Sequence, residues 1–289
     1  MKHPEKIDLH MHTTVSDGTD SPEQIIARVR EAGIDLFSVT DHDAVKAGRI
    51  IPPLLAEGDP AFITGAEFSC RDEAGKYHIL GYGYDPDAEP MRELVETGHR
   101  LRLSKVLARL DFLKKEFGFS FPKEELRRLF ALDNPGKPHI ANLMVRFGYA
   151  ESKDQAITEF INRIHFRNEY VHPELAIRCI LGGGGIPVLA HPSYGDGDQL
   201  ILGEEMEERI RHLMGFGLKG VEAFYSGFTP RLCKEMLSVA ARYGLYVTAG
   251  SDYHGKNKLI ALGDTGLDLA EEWPKGLKAF LNDVERIRK

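Results

Sequence analysis

The spacing of apolar residues changes twice along the chain. Residues 7–12, 35–43, 61–70 and 77–85 carry short runs rich in β-branched and aromatic residues: "IDLHMH", "DLFSVTDHD", "AFITGAEFSC" and "YHILGYGYD". These predict four strands, the last two close enough to pair as a hairpin. Between the first two, Ser21 and Pro22 supply an N-cap and a first-turn proline. Ile25, Ile26 and Val29 follow at helical spacing, and Gly33 stops the helix predicted over 22–32. From residue 90 to 170 the strand pattern disappears. One long amphipathic helix is expected up to Gly118, then shorter ones in "PKEELRRLFAL" and "KPHIANLMVRFG". After Pro173 the alternation resumes. "IPVLAHP", "GVEAFYS" and "YVTAGSDYH" read as strands, separated by helices near 204–215 and 230–243. Repeated strand–helix units imply a largely parallel sheet or barrel. The expected fold is α/β, a barrel built from 1–89 and 171–289, with 90–170 inserted as an all-helical subdomain.

Composition narrows the class. The chain has 289 residues, 42% hydrophobic and 28% charged, as a protein with a sizeable core does. No apolar run approaches the ~20 residues that cross a bilayer, and the N-terminus lacks an apolar signal-peptide core. Cys70, Cys179 and Cys233 are far apart and odd in number, which argues against a disulfide framework and for the cytoplasm. The net charge of −7 gives no support for a whole-surface nucleic-acid binder. A local basic groove stays open: residues 91–130 hold 10 Lys or Arg and 6 Asp or Glu, so 10 − 6 = +4.

The candidate chemistry lies at the strand ends. The first strand carries His10 and His12, with Asp17 in the loop after it, and the second ends at His42. Glu67 lies in the third and His78 in its partner. "VLAHP" ends at His191, and "TAGSDYH" at Asp252 and His254. These nine metal-capable residues are expected at the C-terminal strand ends, which converge on one face of an α/β barrel. Residues i and i+2 of a strand point the same way, so His10 with His12, and Asp252 with His254, can grip one ion. Mixed imidazole and carboxylate donors suit Zn, Mn or Fe. Nine donors exceed one coordination shell, so two or three ions are expected, with Glu67 as bridge. Taken singly, each feature has a plainer reading: a His-x-His pair is often a packing feature, and Asp17–Gly18 an ordinary turn. Asp43 and Ser251 read as a helix N-cap and a turn residue. Six of the 12 histidines in this one pattern is what favours a metal centre.

"DLHMHTTVSDGT", "TDHD", "GAEFS", "HILGYG", "LAHP" and "GSDYH" resemble, in order, the motifs of the PHP (polymerase and histidinol phosphatase) domain. The resemblance runs from about 7 to 265. It implies a distorted (β/α)7, TIM-like barrel with up to three ions. His10, His12, Glu67 and Asp252 would hold the first, Glu67, His78 and His191 the second, and Asp17, His42 and His254 the third. Aspartate at 17 resembles the branch of small phosphoesterases acting on nucleotides or short RNA ends. "GKPHIA" resembles that branch's substrate-binding run and implies phosphate contacts from Lys137 and His139, with lysine where arginine is common. "FRNEYV" stands where a second such run is expected, without its glycine and proline, and Arg167 would replace its lysine.

These residues lead to the expectation of a metal-dependent phosphoesterase. Hydroxide generated at the metals would attack phosphorus, with Glu67, Asp252, His191 and His254 as the catalytic set. His139 is an unligated alternative as proton donor. The expected substrates are small phosphate esters, foremost nucleotides such as nucleoside 3',5'-bisphosphates or cyclic and terminal phosphates. No membrane or obligate protein partner is expected. A 5'-3' exonuclease, a sugar- or histidinol-phosphate phosphatase, a non-catalytic metal-binding module and, more weakly, an amide hydrolase are the alternatives.

Overall fold

The computed structural model describes residues 4–132, 134–166, 170–195, 199–270 and 272–287. Among the described residues eight strands are formed: β1 Ile7–Asp8, β2 Leu36–Phe37, β3 Ala61–Phe62, β4 Gly65–Arg71, β5 Lys76–Tyr82, β6 Ile186–Leu189, β7 Gly220–Tyr225 and β8 Tyr246–Gly250. The helices are α1 Pro22–Glu31, α2 Ala47–Ile50, α3 Glu89–Phe117, α4 Lys123–Phe130 and α5 Lys137–Arg146. They continue as α6 Lys153–Gln155, α7 Pro173–Gly182, α8 Gly203–Phe216, α9 Pro230–Tyr243 and α10 Lys275–Ile287. The chain divides into two compact units, Met1–Val95 with Val171–Lys289, and Glu96–Tyr170.

In the first unit β1-β2-β3 form a parallel sheet and β4-β5-β6-β7-β8 a second one. The sheets join at both edges. Leu9 N donates to Ala249 O at 2.9 Å, and a parallel bridge pairs Met11 with Tyr253. On the other side a bridge pairs His42 with Glu67. β3 and β4 follow one another with only two residues between, so the eight strands make seven staves around one core. β5 runs antiparallel to both neighbours, and the remaining pairings are parallel. Ile25, Ile26 and Val29 of α1 pack against Phe37, Val39 and Phe62, as the helical spacing requires. Ser21 caps α1, and a reciprocal bond from Ser21 N to Gln24 closes a capping box.

The regular strands are shorter than the apolar runs. β1 and β2 keep two residues each, and the histidines after them lie in irregular backbone. The reason is hydrogen bonding. Buried Asp8 accepts from Ser251 N, Ser251 Oγ and Gly263 N, and buried Asp41 accepts from Thr13 N, Thr13 Oγ1 and Ser16 Oγ. Side chains thereby replace strand partners where the barrel opens.

The second unit is helical, with a core of its own. Val106, Leu113, Leu129, Ile140 and Met144 are buried together, flanked by Phe117, Phe119 and Phe160. Gly118, in the left-handed region at φ 73°, ends α3. Lys137 Nζ donates to Asn162 Oδ1 at 2.7 Å, and His139 Nδ1 accepts from Gly136 N at 3.1 Å at the start of α5.

Candidate metal centre

Glu67 is the hub. It is 1% exposed, and its two oxygens divide five imidazoles between them. Oε1 lies 2.8 Å from His78 Nδ1 and 3.2 Å from His191 Nε2. Oε2 lies 3.3, 3.2 and 3.1 Å from His10 Nε2, His12 Nε2 and His42 Nδ1. Asp252 Oδ1 adds to this side, 3.5 Å from His10 Nε2 and 3.3 Å from His12 Nε2. Asp17 collects the others: Oδ1 is 3.3 Å from His254 Nε2, and Oδ2 is 3.9 Å from His42 Nε2. Donor atoms within 4.8 Å of one another form three overlapping groups. They are His10, His12, Glu67 and Asp252; His12, Asp17, His42 and His254; and His42, Glu67 and His78. All nine residues from the strand-end pattern therefore converge.

Two details differ from the strand-end expectation. His78 lies near the start of β5, not at a C-terminal end, because an antiparallel strand brings its N-terminal end to that face of the barrel. Asp252 and His254 are not aligned by strand alternation. β8 ends at Gly250, and Asp252 has a left-handed φ of 57°. Asp43 (51°) and His191 (28°) are also left-handed, so strained backbone gathers around the centre. Asp43 is not a helix N-cap: its Oδ1 accepts from Ser69 N at 2.9 Å, and Lys46 holds the cap position of α2.

Charge explains why these donors suit a cation. Burial pushes Glu67, Asp17 and Asp252 up, but the imidazoles outweigh it. His42 foremost, for Glu67 and Asp17, and His10, for Asp252, hold all three well below the usual carboxylate range. Burial pushes His42 down to about 3 and lowers His78, so both are neutral donors at pH 7. Burial would also lower His12, but Asp252 and Glu67 raise it to about 9, and carboxylates led by Glu222 raise His10 likewise. The Nε2 atoms of His10 and His12 are buried and make no hydrogen bond, a costly state that a cation among these carboxylates would relieve. The residues present fit divalent metal.

A pH dependence follows. A metal needs the unprotonated ring, whereas His12 in the metal-free protein keeps its proton up to about 9. Metal uptake should release protons, and apparent affinity should climb between pH 6.5 and 9, by up to roughly tenfold per pH unit for each proton displaced. Calorimetric titration in buffers of different ionisation enthalpy checks this. A pH-independent affinity would contradict it.

Several supporting residues lie outside the nine-residue metal pattern. Glu222 of β7 is fully buried, with Oε1 2.9 Å from His10 Nδ1 and Oε2 accepting from His191 N at 2.8 Å. Tyr225 OH donates to Asp252 Oδ2 at 3.0 Å, and Lys258 Nζ lies 2.5 Å from the same oxygen. Ser251 is a buried donor to Asp8, more than a turn residue. The one available signal for Glu222 was a carboxylate inside an apolar strand. Beside the imidazoles is a cavity of about 410 Å³, lined by His42, Glu67, His78, His191 and Asp252, with Lys76, Tyr77, Tyr194, Tyr225 and Lys258 completing its walls. Lys137 and His139 belong to the helical unit. Arg167 lies outside the described residues.

Residues 8–283 match the PHP domain family model. The chain belongs to the PHP domain family. Three curated relatives span nearly all of it. A phosphoribosyl 1,2-cyclic phosphate 1,2-diphosphodiesterase of Eggerthella lenta is 30% identical over 86% of this chain and 94% of its own. A 5'-3' exoribonuclease of Haemophilus influenzae is 27% identical over 92% and 96%. A 3',5'-nucleoside bisphosphate phosphatase of Chromobacterium violaceum is 26% identical over 96% and 96%. Among solved structures, an amidohydrolase from Chromobacterium violaceum superposes with a TM-score of 0.79 at 23% identity, covering 98% of this chain and 96% of that one. A Bifidobacterium adolescentis protein inferred to be a metal-dependent phosphoesterase gives 0.77 at 25% identity, covering 96% of both chains. This PHP chain thus has the expected TIM-like α/β fold. Among its described residues no helix is long and apolar enough to cross a membrane.

Proposed function

We propose that this PHP chain is a metal-dependent phosphoesterase that hydrolyses small phosphate esters, with nucleotides as its main substrates. The observation that carries the reading is Glu67, one buried carboxylate whose two oxygens face separate sets of histidines. That arrangement suits a bridging ligand. His10, His12, Glu67 and Asp252 would hold one ion, Glu67, His78 and His191 a second, and Asp17, His42 and His254 a third. Mn, Fe and Zn match this mixture of donors. Bound there, divalent ions supply acidified water and positive charge for the phosphoryl oxygens. The chain's own groups hold the geometry: Glu222 orients His10 and fixes the His191 backbone, while Tyr225 and Lys258 hold the outer oxygen of Asp252.

Nucleotides are favoured over bare sugar phosphates by the aromatic wall of the cavity. Tyr194 and Tyr225 line it, and Phe228 packs against both at ring distances of 6.0 and 5.3 Å. Flat rings beside a phosphate site suit a nucleobase. Two of the three relatives named above also act on nucleotides or RNA by name. Lys137, His139 and Arg167, in the inserted segment 90–170, are proposed as further phosphate-binding residues. The three free cysteines support a cytoplasmic setting.

Metal analysis with a phosphate-release panel tests the reading. The panel spans mononucleotides, nucleoside bisphosphates, cyclic phosphates, histidinol phosphate and short RNA. Turnover highest on nucleotides is expected. Metal-loaded protein inert on the whole panel would refute it. The exoribonuclease relative supports a second reading, which a salt-sensitive preference for oligonucleotides would establish.

A further inference from the structure

Lys258 is one of the cavity's side chains that lie outside the metal-ligand pattern. It follows the turn Gly255–Asn257, which is fastened to the loop after β1. Asn257 Nδ2 donates to Asp17 O at 2.7 Å, and Lys256 N donates to Thr19 Oγ1 at 2.9 Å. The turn brings the Lys258 ammonium to the cavity wall, 2.5 Å from Asp252 Oδ2. Asp252 uses its other oxygen, Oδ1, to face His10 and His12. The ammonium therefore meets the oxygen of this carboxylate that does not face His10 and His12, and it does so at the cavity wall. Its side chain is 37% exposed against 6% for Asp252, so it reaches from solvent to the mouth of the centre.

An ammonium has three donors. One is satisfied by Asp252 Oδ2, which also receives the Tyr225 hydroxyl. The other two can meet the oxygens of an anion in the cavity. We infer that Lys258 is a substrate-binding residue that holds the phosphoryl group beside the metal centre, with Asp252 fixing its ammonium in place. The inference deepens the phosphoesterase reading and rests on it. It gives the barrel a phosphate contact of its own, independent of Lys137, His139 and Arg167. Lysine suits the place, since a compact charge can keep one bond to the carboxylate while turning toward phosphate.

The test is calorimetric binding of inorganic phosphate to metal-loaded protein, with metal content measured on the same samples. Lys258→Met keeps the length of the side chain and removes the charge. It should weaken phosphate binding about 10- to 100-fold, the loss expected for one or two charge-assisted bonds. Its metal content should match the wild type, KM for a phosphate ester should rise more than kcat falls, and Lys258→Arg should recover part of the affinity. Unchanged phosphate affinity in Lys258→Met would overturn the inference. So would a loss of metal that accounts for the weaker binding, because Lys258 would then act only through Asp252. Lys258→Gln gives a second neutral variant should methionine disturb folding. The wild type separates the two ideas. A protein that binds phosphate through Lys258 yet cleaves no ester refutes the phosphoesterase reading alone, and an active wild type matched by Lys258→Met refutes this inference alone.

Discussion

Glu67→Ala should abolish turnover and strip the centre of metal, with kcat/KM falling by at least ~1000-fold. Among the described residues no other carboxylate at the centre faces as many imidazoles: five lie within 3.3 Å of its two oxygens. Alanine leaves those donors without the charge that opposes them. His42 and His78 are already neutral, and although His10 and His12 would give up their protons more easily, the two oxygens that would hold the ions are gone. The variant should therefore bind fewer ions per chain, measured by elemental analysis, whatever metal is offered. Glu67→Gln retains one carbonyl oxygen and should keep part of the metal but not the bridge. Near-normal activity in Glu67→Ala would refute the bridging arrangement.

The convergence of the nine residues was legible in the sequence because histidines and carboxylates recur at the strand ends, and a barrel collects its strand ends. The strands were legible as positions more than as lengths. The run from Ile7 to His12 reads as one strand, yet its regular part is two residues, since Asp8 and Asp41 draw the neighbouring backbone into side-chain hydrogen bonds. His78 was found by its residue type and misplaced along its strand, because a hairpin partner reverses which end meets the centre. Lys258 was opaque for another reason. A lysine in "HGKNK" has an ordinary surface reading, whereas Tyr225, near the end of "GVEAFYS", is readable as a residue of the barrel mouth; only the fold brings both to one oxygen of Asp252. Glu222 was the least legible, since a single acid in "GVEAFYS" carries no spacing signal and its partners, His10 and His191, are remote in sequence.

Glu222→Gln is the sharper test of that hidden layer. Glu222 cannot itself be a ligand of the groups around Glu67 while both its oxygens are occupied, one by His10 Nδ1 and the other by His191 N. Its work is to aim His10 so that Nε2 faces Glu67 and Asp252, and to raise the ring's affinity for a cation. The space is fitted to it: a Cβ on Gly250 would stand 2.6 Å from Glu222 Oε1 and 2.2 Å from His10 Cβ, so only glycine lets β8 pass this close. Glutamine preserves the volume and one acceptor but removes the charge that opposes the His10 ring. Metal affinity should fall about 10- to 100-fold, as loss of such a partner typically costs. In melting experiments at saturating metal this appears as a loss of about 1.4–2.7 kcal/mol of metal-conferred stabilisation. Activity should return when metal is raised by the same factor, which distinguishes this variant from Glu67→Ala, where added metal restores nothing. Wild-type metal affinity in Glu222→Gln would show that the neutral amide orients His10 equally well and that the charge of Glu222 contributes nothing to the centre.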